Sequence, residues 1–122
     1  MPFEQTQRTM VRYFDEMDGG DLARVLATDA TWTTAETGAL IHGSVAVRDY
    51  IDALHHLMLD TQTRPLVVGE DTAHLEGDCL VSPDGITRTA WCLAYDVAED
   101  KITAMRLYGP LESLVVHPSP DP

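Results

Sequence analysis

The stretch ITRTAWCLAYDVAEDKITAMRLYGPL, residues 86–111, decides the fold class. Its β-branched and aromatic residues predict two strands, at residues 86–97 and 102–111, joined by a turn at residues 98–101. Working back along the chain, the same pattern predicts strands at residues 64–69 and 72–81, with a second turn at 82–85. Four strands in succession, separated by short turns, indicate an antiparallel meander.

Ahead of these strands the sequence has a helical pattern. Apolar residues recur at helical spacing over residues 4–17 and again over residues 44–58. Asp21 is the predicted N-cap of a short helix between them, and residues 30–34 predict a first strand. Three N-terminal helices followed by strands predict an α+β fold, with the helices packed on one face of a curved, mostly antiparallel sheet. We expect a cone-like pocket between the two layers.

The composition limits the number of domains, the partners and the location. The 122 residues predict one domain at residues 1–114, and three prolines among the last five residues predict a disordered tail at 115–122. A net charge of −12 argues against nucleic acid as a partner. The sequence shows neither a membrane span nor a secretory signal, so we expect a cytoplasmic location without membrane contact. The two cysteines lack the spacing of a metal site, and no metal is predicted.

Six short motifs resemble one group of proteins in their order and approximate spacing. They are RYFDEMDGGD (residues 12–21), DAT (29–31), IHG (41–43), RTAW (88–91), DKI (100–102) and MRLYG (105–109). Together they resemble the bacterial ketosteroid isomerases and SnoaL-like polyketide cyclases of the nuclear transport factor 2-like superfamily, and also polyether epoxide-opening cyclases. The resemblance covers nearly the whole chain. It implies a cystatin-like α+β barrel, an apolar small-molecule ligand and chemistry that needs no cofactor.

The resemblance also implies roles for individual positions. Tyr13 occupies the place of the tyrosine that donates a hydrogen bond to a developing enolate in the isomerases. Thr34 stands where those enzymes have an aspartate base, and Cys92 stands where they have a protonated second acid. Arg88 resembles the arginine of limonene-epoxide-hydrolase-like members, whose acidic partners are replaced in this chain. The family's acid and base residues are therefore missing at these positions.

Other residues are candidates for the site on their own chemistry. Glu36, two residues beyond Thr34, is the best available base if its carboxylate turns toward the pocket, and has no role if it lies exposed in a loop. Trp32 is either a structural side chain or a wall of the cavity. His55 and His56 are interpreted as surface residues. The predicted substrate-binding set is Trp32, Thr34, Arg88, Cys92, Met105 and Leu107.

Two functions remain open at this stage. The first is an enzyme that isomerises, cyclises, dehydrates or opens an epoxide in an apolar polyketide-like or terpenoid-like substrate, with Tyr13 as donor and Glu36 as base. The second is a non-catalytic ligand-binding or dimeric accessory protein. Trp91, Leu93 and Tyr95 alternate along one strand face, and their exposure would favour a homodimer through the sheet.

Overall fold

Residues 2–81 and 88–110 are described by the computed structural model, which contains helices, strands and one 3-10 turn. The elements are α1 (Pro2–Met17), the 3-10 turn (Leu22–Arg24), β1 (Leu26–Thr34), β2 (Leu40–His42), α2 (Ser44–Leu57), β3 (Met58–Thr63), β4 (Val67–Val68), β5 (Thr72–Val81), β6 (Arg88–Ala98) and β7 (Lys101–Tyr108). The strand order is β2-β1-β7-β6-β5-β3, and β4 pairs with β5. The predicted tail at 115–122 and the predicted turn at 82–85 lie outside the described residues.

One curved sheet forms most of the domain. β1 and β7 run parallel, and the other neighbouring strands are antiparallel. The pairing register shifts in three strand pairs, β1–β7, β3–β5 and β6–β7. Such irregularities bend a strand and increase its twist. The sheet is therefore concave on one side, and both α-helices contribute side chains to that side.

The two long helices form where the apolar periodicity predicts them. α1 buries Met10 and Tyr13, while α2 buries Val47, Ile51 and Leu54 at helical spacing. Gly43 is the N-cap residue of α2, and no side chain caps this helix by a hydrogen bond. The backbone of Gly43 has a φ of 105°. Glycine adopts that conformation without the cost that a side chain would impose.

The prediction of three N-terminal helices is wrong: within the described residues there are two α-helices. The segment capped by Asp21 forms only a three-residue 3-10 turn. The chain then leaves the helical path because β1 begins at Leu26, beside the buried Val25. The Val25 carbonyl accepts a hydrogen bond of 2.8 Å from the Ile102 N–H of β7, which a continued helix would lose. Sheet pairing across the chain outweighs the local helical pattern.

The predicted strand at residues 64–69 is also placed wrongly. The longer strand is β3, which starts directly after α2 and pairs with β5, and only Val67–Val68 remains as β4. Pro65 lies between them and has no N–H to donate to a ladder. Asp60, with a φ of 49°, lies where the β3–β5 register shifts.

The hairpins follow the sequence more closely. Cys79 pairs with Thr89 across β5 and β6, and both cysteines are free thiols. Glu99 and Asp100 have φ values of 52° and 65° in the turn between β6 and β7, which confirms the turn predicted there. None of the helices in the described ranges is long and apolar enough to cross a membrane.

The inward face of β6 is the opposite of the predicted one. Trp91, Leu93 and Tyr95 line the concave side, and Cys92 lies on the outer face, opposite Glu76 of β5. The bulky aromatic side of the strand is covered by the helices because it has the most apolar surface to remove from water. The three residues expected to support a homodimer are therefore inside the domain, and a homodimer through the sheet stays a prediction that would need the outer face.

Candidate functional site

A cavity of about 280 Å³ lies between the two helices and the concave face of the sheet. Fifteen residues line it: Tyr13, Phe14, Met17, Trp32, Ile51, Leu54, His55, Met58, Thr61, Thr63, Leu75, Trp91, Leu93, Tyr95 and Leu107. None of these lining residues carries a carboxylate, an ammonium or a guanidinium group. Within the described residues no three histidine, cysteine or acidic side chains form a group that could hold a metal ion.

Aromatic side chains make up a large part of the wall. The chain has two tryptophans, four tyrosines and two phenylalanines, and five of these eight line the cavity. The Tyr13 ring meets Phe14 and Tyr95 edge to face, with centroid distances of 5.1 and 5.3 Å. On the far side, Trp32 packs against Tyr50 of α2 at 5.2 Å. These contacts hold the rings in defined orientations around the empty volume.

Two phenol groups lie together inside the cavity. Tyr13 is 1% exposed and Tyr95 is fully buried. Burial raises the pKa of Tyr13 well above its usual range, an effect that the nearby Tyr95 hydroxyl partly offsets and the charge of Asp52 increases. Burial also raises the pKa of Tyr95, and the Tyr13 phenol adds to this rise. Both groups therefore stay protonated and act as neutral hydrogen-bond donors.

The Tyr95 hydroxyl is close enough to Tyr13 to affect its pKa, yet it has no hydrogen-bond partner of acceptable geometry among the described residues. The indole N–H of Trp91 is likewise buried without such a partner there, with the Cys79 thiol close by. Trp91 reaches this position because residue 77 is a glycine: a Cβ there would lie 2.7 Å from the indole ring. Buried polar groups are nearly always paired, so these two donors need an explanation.

His55 is exposed, as the sequence predicts, but it also lines the cavity, which sequence reasoning did not foresee. It lies on α2 beside Ile51, Leu54 and Met58, and all four line the cavity. Desolvation lowers the pKa of His55, partly offset by the charge of Asp52, so the imidazole is neutral near pH 7. The spacing i, i+4, i+7 contained this information, since it places residue 55 beside Ile51 and Leu54, which are buried.

Thr34 has a structural task. Its hydroxyl accepts a buried hydrogen bond of 3.0 Å from the Trp32 indole N–H. Its backbone also closes the turn toward β2, with N–H to Ala39 O at 2.9 Å and its carbonyl accepting from Gly38 N–H at 2.8 Å. Thr34 thereby fixes the orientation of one cavity wall, while Trp32 itself lines the cavity.

The other predicted site residues divide into two groups. Leu107, like Tyr13 and Trp32, lines the cavity, and Met105 is buried beneath the lining. Glu36 does not belong to the lining, because it lies exposed in the turn after β1. Cys92 is absent from the lining because it sits on the outer face of β6.

Arg88 also lies away from the cavity. Its guanidinium contacts the Asp78 carboxylate at 2.8 Å and the Asp60 carboxylate at 3.0 Å. A further hydrogen bond of 2.6 Å goes to the Asp60 carbonyl. These contacts connect β6 to β5 and β3 at the surface. They give Arg88 a structural role in place of the predicted contact with a substrate.

The fold and the cavity define a class of protein: an α+β domain of the nuclear transport factor 2-like type, with a curved sheet and two helices around an internal pocket. Within this class, the profile of the SnoaL-like domain matches residues 4–112. The chain belongs to the SnoaL-like domain family. The resemblance found in the sequence is confirmed.

Solved structures from three organisms share the fold. A nuclear transport factor 2-like protein of unknown function from Mesorhizobium loti is 20% identical with a TM-score of 0.77, covering 89% of this chain and 93% of that one. A steroid delta-isomerase from Pseudomonas aeruginosa is 14% identical with a TM-score of 0.75, covering 86% and 79%. A protein named as a SnoaL-like polyketide cyclase from Jannaschia sp. CCS1 is 15% identical with a TM-score of 0.72, covering 98% and 94%. No curated protein matches the chain in sequence. At these identities the likeness shows the fold alone.

Proposed function

We propose that the chain binds a small apolar carbonyl compound, polyketide-like or terpenoid-like, and transfers a proton on it without a cofactor. The observation that carries this proposal is that a neutral imidazole and a buried phenol, His55 and Tyr13, line the same apolar cavity. A base and a hydrogen-bond donor that share one apolar site are the parts that enolisation requires. Isomerisation, cyclisation and dehydration are the reaction types that follow from it.

His55 is the proposed base, in place of Glu36, which does not line the cavity. The imidazole takes a proton from the carbon next to the carbonyl group, and the C–H electron pair forms a carbon–carbon double bond. The carbonyl π electrons move to oxygen. In a β,γ-unsaturated carbonyl compound, the electron pair on oxygen then re-forms the carbonyl group while the imidazolium returns the proton to the γ carbon. This completes an isomerisation, and the histidine ends as it began.

Tyr13 is the proposed donor to the developing enolate oxygen. Because burial and the charge of Asp52 both raise its pKa, the phenol keeps its proton and donates a hydrogen bond without ionising. Tyr13 is 1% exposed, and a donor placed in advance in such a buried position is worth more than in solution.

A second function, binding without catalysis, is favoured by one specific observation. The described lining contains no carboxylate, and the positions of the family's acids hold Thr34 and Cys92. The Thr34 hydroxyl accepts a hydrogen bond from the Trp32 indole, and Cys92 lies on the outer face of the sheet. If His55 does not accept protons from a ligand, the cavity is a binding site only.

Deuterium exchange separates these two functions. We would incubate the protein with 1-tetralone, a two-ring ketone, in D₂O near neutral pH and follow loss of its α-proton signal by NMR. The proposal expects exchange above the buffer rate and a decrease of about 100-fold in His55→Gln. The matched control is His56→Gln, since His56 neighbours His55 and is exposed like it, but does not line the cavity and forms a hydrogen bond with the Asp52 carbonyl. Binding of the ketone with no exchange would leave only the binding function.

A further inference from the structure

We propose that Tyr95 selects the ligand by donating its hydroxyl to an acceptor oxygen on an uncharged, flat molecule of one or two rings. This inference concerns the same cavity and rests on the proposal that a ligand occupies it. Tyr95 is not a position that the family resemblance pointed to. Its role follows from burial, contacts and the size of the cavity.

The first step is the state of the Tyr95 hydroxyl. The residue is fully buried, it belongs to the cavity lining, and its hydroxyl has no hydrogen-bond partner of acceptable geometry among the described residues, although the Tyr13 phenol is close enough to affect its pKa. A buried donor without a partner inside a cavity is satisfied when a ligand brings an acceptor. Tyr13 lies next to it, with 5.3 Å between the ring centroids, so one ligand oxygen can meet both phenols.

The second step is the charge of the ligand. The described lining offers no cation to a carboxylate or phosphate and no carboxylate to an amine. His55 does not supply the charge either, because its pKa is lowered and the imidazole is neutral near pH 7. Placing an ion in this cavity would remove it from water without compensation. The ligand is therefore neutral.

The third step is size and shape. The volume of about 280 Å³ lies just below the roughly 300–1,000 Å³ of pockets for drug-sized ligands, which points to a smaller molecule. Five aromatic rings face this volume, and rings pack best on flat surfaces by stacking or edge contact. A ketone or lactone with one or two rings meets all three conditions.

The test compares two probes that differ in one oxygen, 1-tetralone and tetralin, by isothermal titration calorimetry. Wild-type protein is expected to bind the ketone more tightly than the hydrocarbon. In Tyr95→Phe the affinity for 1-tetralone should fall roughly five- to tenfold, while that for tetralin stays unchanged. Tyr108→Phe is the matched control, because Tyr108 is exposed on β7 and should leave both affinities as they are.

An infrared measurement adds a readout that does not depend on affinity. The carbonyl stretch of bound 1-tetralone should shift to lower wavenumber in wild-type protein and shift less in Tyr95→Phe. Equal affinities and equal carbonyl shifts in the two proteins would overturn the inference, as would a failure of 1-tetralone to bind. Binding that depends on Tyr95 without α-proton exchange would refute the proposed catalysis and leave this inference standing. Equal rates of α-proton exchange in wild-type protein and Tyr95→Phe would refute this inference and leave the proposed catalysis standing.

Discussion

The two faces of β6 differ in charge and in what covers them. On the inner face Trp91, Leu93 and Tyr95 line the cavity, and no lining residue in the described part of the chain carries a formal charge. On the outer face Asp96 forms a two-point ion pair with Arg106, at 2.8 and 3.1 Å. Although the chain has a net charge of −12, the polar groups of the described lining are neutral hydroxyl and indole donors and one imidazole. An interior of this kind suits a neutral ligand.

The largest expected effect comes from placing a charge on the inner side of the sheet. Leu107, which is fully buried, lines the cavity, and the next residue, Tyr108, is exposed. Leu107→Asp should lower the free energy of unfolding by about 4 kcal/mol or more, because the carboxylate has no counter-ion. Tyr108→Asp should change it by less than about 1 kcal/mol. Urea unfolding followed by circular dichroism measures both, and similar losses would break the comparison between the faces.

The next effect is the pH dependence that follows from His55. Its pKa in the folded protein lies below the usual 6.5, because desolvation disfavours the charged form. The exchange rate of 1-tetralone should therefore be constant above pH 6.5 and fall about tenfold per pH unit below the lowered pKa. The stability contributed by neutral His55 has the same direction: it is present above pH 6.5 and is lost as the pH falls through the folded pKa.

The pH experiment needs a comparison with His55→Gln. That variant should lose the acid limb of the rate profile, and its free energy of unfolding should depend less on pH between 7 and 5. The rates of α-proton exchange, measured by NMR across this pH range in both variants and in wild-type protein, test whether His55 accepts the proton. His56→Gln is the control. An acid limb that persists in His55→Gln would show that another group accepts the proton.

The sequence predicts an element of the fold correctly where the pattern that specifies this element is local. The helices at Pro2–Met17 and Ser44–Leu57 and the strands β5, β6 and β7 follow apolar periodicity, so they were found. The segment after Asp21 was predicted as a short helix and forms only a 3-10 turn, because β1 pairs with β7, about 75 residues later in the chain. Parallel pairing over such a distance leaves no mark in a short window of sequence.

The candidate site shows a second limit. Alternation along β6 reveals two faces but does not say which one the helices cover, and the inner and outer sides were exchanged for this reason. Burying the face with the larger aromatic side chains would have been the better rule. His55 was predicted to be exposed, and it is, but its contact with the cavity was not foreseen. Its neighbours Ile51 and Leu54 were the available signal.

A smaller effect tests the support behind one cavity wall. Thr34→Val removes the acceptor of the Trp32 indole N–H and leaves that donor buried without its partner. The expected loss in free energy of unfolding is about 1–3 kcal/mol, with a change in tryptophan fluorescence. Thr33→Val is the matched control, because Thr33 is only half-buried and lies on the opposite face of β1. Equal losses in the two variants would remove the structural role given to Thr34.

The smallest effect is expected at Arg88, on the surface. Arg88→Gln breaks contacts with Asp78 and Asp60, but the guanidinium and the Asp60 carboxylate are both well exposed. Exposed pairs of this kind are worth about 1 kcal/mol or less, and the loss should shrink as salt is added. Affinity for 1-tetralone should stay within a factor of two of wild type, because Arg88 does not line the cavity. A tenfold loss of affinity at unchanged stability would instead support the substrate contact predicted from sequence. The ligand would then also contact the outer face of β6.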